Sequence, residues 1–156
     1  MKKIAVFAFA LLMILPILAQ APQGAMVWRS ADLKAYATSL APKLDSHHLA
    51  SQALGNFGFY NALVVHREGT GEAEYHETSA DVMFVESGEC SMILGGTIKD
   101  GKPSGAGEIR GTVIEDGKTY QLAAGDIVHV PPKTPHQVVI AAGGQITYVV
   151  FKENAH

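Results

Sequence analysis

From Phe57 onward the chain is a succession of short, β-rich apolar runs, FGFYNALVVH, DVMFVES, CSMIL, GTVIE, KTYQLA, DIVHV, HQVVIA and QITYVVF, most of them separated by Gly, Pro or Asp-Gly. Runs of this length, rich in Val, Ile, Tyr and Phe and closed off by turn residues, read as strands. No helical pattern alternates with them. A parallel sheet is therefore excluded, and an all-β antiparallel sandwich or barrel is expected. Asp116-Gly117, between GTVIE and KTYQLA, is a tight-hairpin signal. The glycine-rich stretch GGTIKDGKPSGAGEIRG, Gly95 to Gly111, reads as a long surface loop. Its GAGEIRG part lacks the strand before and helix after that a phosphate loop needs, and reads as flexible.

One helix is predicted, ahead of the strands. Ser30 stands as its N-cap, and ADLKAYATSLAPKL places Leu33, Tyr36, Leu40 and Leu44 on one side, with Pro42 near the end. Before it, MKKIAVFAFALLMILPILAQA has two lysines, an apolar run from Ile4 to Ile17 and small residues at Ala19 and Ala21. That order predicts a secretory signal peptide over residues 1–21, cut after Ala19 or Ala21. The run is shorter than the ~18–20 residues of a spanning helix, and Pro16 interrupts it. Export to the periplasm or the medium follows, with no membrane association after cleavage. The remainder, about 136 residues, suits one domain with a single core.

Removing Lys2 and Lys3 from the 12 basic residues leaves the mature chain acidic against 15 Asp and Glu, and its basic residues are scattered singly. Nucleic acid is excluded as a partner. The one cysteine, Cys90, has no intramolecular partner and lies in the strand-like ECSMILGG, where it reads as a small buried apolar residue.

The stretch GEAEYHETSAD, Gly71 to Asp81, concentrates polar residues between apolar strands. Residues two apart on a strand share a face, so Glu74 and His76 can converge on one point. Asp81 reaches the same point if the chain turns at Glu77–Ala80. His136, after GDIVHVPPKTP, opens another strand and is a further candidate. Carboxylate oxygens and imidazole nitrogens are ligands for zinc, manganese, iron or nickel, and buried charges of this kind need pairing or a metal. His66, His129 and Tyr75 are weaker candidates for the same pocket, and His47 and His48 read as surface residues.

These spacings resemble the cupins. Glu74-x-His76-x4-Asp81-x6-Gly88 falls on the first cupin motif, G-x5-H-x-H-x3,4-E-x6-G, and Gly125-x5-Pro131-x-Lys133-x2-His136 falls on the second, G-x5-P-x-G-x2-H-x3-N. Glu74 stands at the first histidine, Asp81 at the glutamate, Lys133 at a glycine, Ile140 at the asparagine, and Glu68 at the opening glycine with Gly69 beside it. The resemblance implies a double-stranded β-helix, or jelly-roll barrel, over residues 57–156, preceded by an extension with the helix over 22–56. It implies one divalent metal ion, Mn, Fe or Zn, held by Glu74, His76, Asp81 and His136. Apolar residues such as Met83, Val85 and Val138 would line the cavity. Cupins include dioxygenases, isomerases, lyases, storage proteins and sugar-binding modules, so a small-molecule substrate or ligand is implied without its identity. A homodimer is expected, because VMFVES is apolar on both faces. The competing reading is a sugar-binding module without catalysis.

Overall fold

The computed structural model describes residues 24–154; the signal peptide expected over 1–21 lies outside them. The elements are α1 (Ser30–Leu40), a 3₁₀ turn (Ala41–Lys43), β1 (Leu49–Asn56), β2 (Tyr60–Arg67), β3 (Ala73–His76), β4 (Ser79–Leu94), β5 (Thr97–Lys99), β6 (Lys102–Gly105), β7 (Glu108–Gly111), β8 (Val113–Glu115), β9 (Lys118–Ala123), β10 (Ile127–Val130), β11 (His136–Val139) and β12 (Ile146–Asn154). All strand pairings among them are antiparallel. The main sheet runs β1-β2-β12-β4-β11-β3-β7-β6, with β9 and β10 also on β4, while β5 and β8 form a separate pair.

β4 joins the two halves of the curled sheet. Its first half pairs with β12 and β10, and its second half with β9 and β11. Between the halves sits Gly88 at φ 77°, where any Cβ would run into the Gln145 carbonyl oxygen. A bulge beside it sets Thr147 against Ser87 but Tyr148 against Val85, which leaves Glu86 unpaired. DVMFVES and CSMIL, read as two strands, are therefore one bent strand. The glycine that separates them in sequence carries the bend.

Alternation along β2 and β12 makes two cores. Val65, Ile146 and Tyr148 point into the barrel with Met83, Val85, Cys90, Met92, Val138 and Ile140. Ala62, Val64 and Val149 point outward and are covered by Leu40, with Leu33, Tyr36 and Leu44 packed around them. The helix thus buries the apolar stripe predicted for it. Ser30 is its first residue and not its cap: Arg29 holds the N-cap position, and the Ser30 hydroxyl donates to Glu86 Oε1 at 3.2 Å, tying helix to bulge.

Three further expectations change. β1 was not foreseen; LASQALGN has no apolar alternation, and pairing with β2 decides its conformation. The Gly95–Gly111 stretch is no loop: β7 pairs with β3 and with β6. Its glycines serve as turns, with Gly107 at φ 72° between β6 and β7. Asp116, at φ 60°, does turn the chain, but it joins strands with different partners, β8 with β5 and β9 with β4, so no hairpin forms there.

Candidate metal centre

β3 ends at His76 and β4 starts at Ser79, a tight turn that brings Asp81 back toward β3. On the other side of β3, His136 of β11 stands directly opposite Glu74. All the residues singled out from the two sequence segments therefore meet inside the barrel. Ligand atoms of Glu74, His76 and His136 lie within 4.8 Å of one another. Asp81 Oδ2 is 3.4 Å from Nε2 of both His76 and His136, and Glu74 Oε2 is 3.6 Å from His76 Nε2.

Glu74, His76 and His136 form a cluster that could hold a metal ion. His136 Nδ1 lies 3.1 Å from the Thr134 carbonyl, which accepts only from an N–H and so assigns the ring's proton to Nδ1. On the other side of the ring, His136 Nε2 faces the Asp81 carboxylate at 3.4 Å. Asp81 Oδ1 and His76 Nδ1 are buried without a hydrogen-bond partner. Carboxylates buried in this way need positive charge beside them, which a metal ion would supply and which His76, Arg110 and Lys152 supply without one. With metal–ligand bonds of ~2.1 Å, neighbouring ligands stand about 3.0 Å apart in an octahedron and about 3.4 Å apart in a tetrahedron. The separations of 3.4–3.6 Å are on that scale; Glu74, His76 and His136 form the mutually close set, and Asp81 adjoins it through the two imidazoles.

The surrounding charges orient the cluster. Arg110 Nη1 donates to Glu74 Oε1 at 2.9 Å, leaving Oε2 free to face His76. Glu108 Oε1 is 3.3 Å from His76 Nδ1, off line for a hydrogen bond. Lys152 stands opposite Asp81 across β4 and β12; its Nζ is 3.0 Å from His76 Nε2 and 3.8 Å from Asp81 Oδ1. Burial pushes the Glu74 carboxyl up, but the His76 hydrogen bond and the charge of Arg110 outweigh it and hold the group at about 2. Burial likewise opposes ionisation of Asp81, and hydrogen bonds from His136 and His76 overcome it, leaving its pKa well below the carboxylate range. The Asp81 and Glu74 carboxylates raise His76 to about 9.

Other candidates fall away. His66 points out of the barrel, hydrogen-bonded to Thr147 Oγ1 at 2.8 Å and to Glu68 Oε1 at 3.2 Å. His129, His47 and His48 are exposed, and the Tyr75 hydroxyl donates to Glu77. Cys90 is 4% exposed in the barrel core, where burial pushes its thiol up to about 11 and keeps it unreactive. Met83 and Val138 line the cavity as expected, while Val85 belongs to the core beneath it. Sequence reading missed Arg67, Glu108, Arg110 and Lys152. The alternation Glu108-x-Arg110 was the available signal, since these residues pair with His76 and Glu74 across β3 and β7 and share their face.

The barrel thus holds a buried carboxylate and imidazole cluster beside a cavity of about 160 Å³. Residues 106–151, spanning β7 to Phe151 of β12, match the family model described as Cupin domain, and the antiparallel sheet has the architecture of a cupin jelly roll. Solved structures share the fold at low identity. TT1209 from Thermus thermophilus is 16% identical over 75% of this chain and 92% of its own, with a TM-score of 0.54. KdgF from Halomonas sp. is 16% identical over 70% and 81%, with a TM-score of 0.51. A variant of Streptomyces PAC13 with uridine is 16% identical over 72% and 74%, also with a TM-score of 0.51. No curated protein matches the chain.

Proposed function

We propose that this cupin is an exported metalloprotein of the cell envelope that acts on a small organic molecule, with one divalent ion, Mn, Fe or Zn, held by Glu74, His76, Asp81 and His136. The observation that carries the reading is the convergence of ligand atoms of Glu74, His76 and His136 within 4.8 Å of one another, with Asp81 Oδ2 3.4 Å from Nε2 of both imidazoles. When bound, such an ion supplies Lewis-acid polarisation of a carbonyl or enolate, or a redox centre, which serves isomerase, lyase or oxygenase chemistry. The chain's own part is to orient Glu74 through Arg110, to fix His136 through Thr134, and to enclose the reacting end of the molecule between Met83, Val138 and Val150. The uridine complex of the PAC13 variant is in keeping with a small-molecule ligand for this fold.

Lys152 favours a second reading. Its ammonium already lies beside the carboxylates, 3.8 Å from Asp81 Oδ1 and 3.7 Å from Glu108 Oε1, and in a non-catalytic binding module it would supply positive charge in place of an ion. Metal analysis of protein purified from its native host separates the two: about one ion per chain is expected, and metal-free protein that still binds small molecules sinks the metal reading. Oxygen-uptake and thermal-shift screens then address the reaction. Export is tested by the mature N-terminus, expected after Ala19 or Ala21. The proposed homodimer places Tyr60, Val82, Phe151 and the exposed Ile127 at a subunit contact; light scattering showing a monomer at micromolar concentration removes it.

A further inference from the structure

The cavity beside the metal cluster has one polar feature that the cluster does not use. Arg67 ends β2 with its side chain 8% exposed, and its guanidinium forms part of the cavity wall with Leu63, Met83, Val138 and Val150. Nε donates to the Tyr148 hydroxyl at 3.2 Å, which fixes the plane of the group. The guanidinium lies over Gly71, where a Cβ would come within 2.8 Å of Nη1 and 2.9 Å of Cζ, so only glycine leaves room for it. The nearest carboxylate oxygen, Glu74 Oε1, is 3.9 Å from Nη2, beyond hydrogen-bond reach, and already accepts from Arg110 at 2.9 Å. Among the described residues, Nη1 and Nη2 have no hydrogen-bond acceptor.

Since Arg67 lines the cavity and its two terminal nitrogens are not among the buried unpartnered atoms, the guanidinium turns an open donor edge toward whatever enters. Its two parallel N–H groups match a planar carboxylate. The carboxylates of Glu72, Glu74 and Asp81 share the cavity wall with the cations of Arg67 and Lys152, so acidic groups outnumber basic ones and a dianion such as a phosphate ester would meet more repulsion than a monoanion. The volume of about 160 Å³ is that of a benzene-sized guest. We infer that Arg67, positioned by Tyr148 over Gly71, is a carboxylate-binding subsite, and that the small molecule taken by the barrel is a short monocarboxylate with an apolar body.

The inference rests on reading the barrel as a small-molecule site, but not on the metal. The test uses benzoate, 2-methylpropanoate and 2-oxobutanoate, each beside its neutral amide, titrated by calorimetry into metal-loaded and into chelated protein. At least one carboxylate is expected to bind, with its amide about tenfold weaker or more, and Arg67→Met is expected to lose about tenfold or more in affinity at unchanged metal content. Equal binding of acid and amide, or an affinity unchanged in Arg67→Met, overturns the subsite. Carboxylate binding that depends on the metal and is indifferent to Arg67 overturns it as well. Arg67-dependent binding to a protein that holds no metal keeps the subsite and removes the metal reading; metal binding with no carboxylate binding removes the subsite alone. If Arg67→Met fails to fold, Tyr148→Phe keeps the charge and releases its orientation. A severalfold loss is then expected, and an unchanged affinity overturns the proposal.

Discussion

Lys152→Met tests whether the acceptor cluster is a cation site that the lysine fills when no metal is bound. The ammonium lies 3.0 Å from His76 Nε2, 3.7 Å from Glu108 Oε1 and 3.8 Å from Asp81 Oδ1, so it neutralises the groups a divalent ion would neutralise. Two unit charges about 4 Å apart interact by about 4 kcal/mol at an effective dielectric constant of ~20. The lysine side chain is 26% exposed, so solvent screening reduces its contribution to about 1–2 kcal/mol. Methionine keeps the apolar stem and removes the charge. The metal-free variant should then melt a few degrees lower, about 2–4 °C per kcal/mol for a domain of this size. An incoming ion would no longer have to displace or tolerate the ammonium, so metal affinity should rise about five- to thirtyfold. Competition calorimetry against a chelator with Mn²⁺ and Zn²⁺ measures the affinity, and thermal melts with and without metal measure the stability. Affinity unchanged or lowered in the variant refutes the reasoning, because lysine and metal would then not contend for one position.

How much of this site can be read from sequence depends on how local its signal is. Glu74 and His76 share a face because they lie two apart on one strand, and Asp81 returns to them through a turn of two residues. His136 is distant in sequence and was reached through motif spacing; the structure seats it opposite Glu74. The charges around them were hidden for different reasons. Arg67 ends an otherwise apolar strand, where a terminal charge ordinarily points to solvent, and its burial comes from the cavity and from Gly71. Lys152 closes the run QITYVVF, and only its register opposite Asp81 makes it part of the site. Glu108 and Arg110 lie among glycines with few apolar residues; pairing with β3, and not local propensity, makes that segment a strand. The same tertiary override accounts for β1 and for the single bent β4, whose two halves each carry a separate strand-like pattern.

His136→Ala should reduce metal occupancy by well over tenfold while the fold persists, since the ring is one donor among the cluster and both cores are apolar; occupancy near wild type, by elemental analysis, contradicts its assignment. Chelation should leave a cooperative transition with a lower midpoint, the loss amounting to about 2.7 kcal/mol if the metal had stood at ~100 times its Kd; a non-cooperative melt would make the metal structural. The pH profile of metal-free protein has two edges. His76 is raised from 6.5 to about 9, so its contribution is complete below pH 6.5 and lost as pH rises through 9. Glu74 is lowered from 4.5 to about 2, so its contribution is complete above pH 4.5 and lost as pH falls through 2. Maximum stability between pH 4.5 and 6.5 is expected in melts across the range, and a stability still climbing at pH 9 contradicts the assignment of His76. Glu74 itself is either the fourth ligand or a free base beside a His76, Asp81 and His136 set. Its Oε1 is engaged by Arg110 at 2.9 Å, and its Oε2 alone faces His76 at 3.6 Å, inside the volume shared with His136. A carboxylate held in that way is oriented as a ligand and, at a pKa of about 2, is a weak base. Glu74→Gln keeps the shape and removes the charge, so ligation predicts a metal affinity lower by about tenfold or more, whereas a base would lose turnover and keep its metal. Arg110→Gln frees Oε1 without touching the donor set, and should weaken affinity less than Glu74→Gln does. Full metal occupancy at unchanged affinity in Glu74→Gln would leave three ligands and return Glu74 to the role of base.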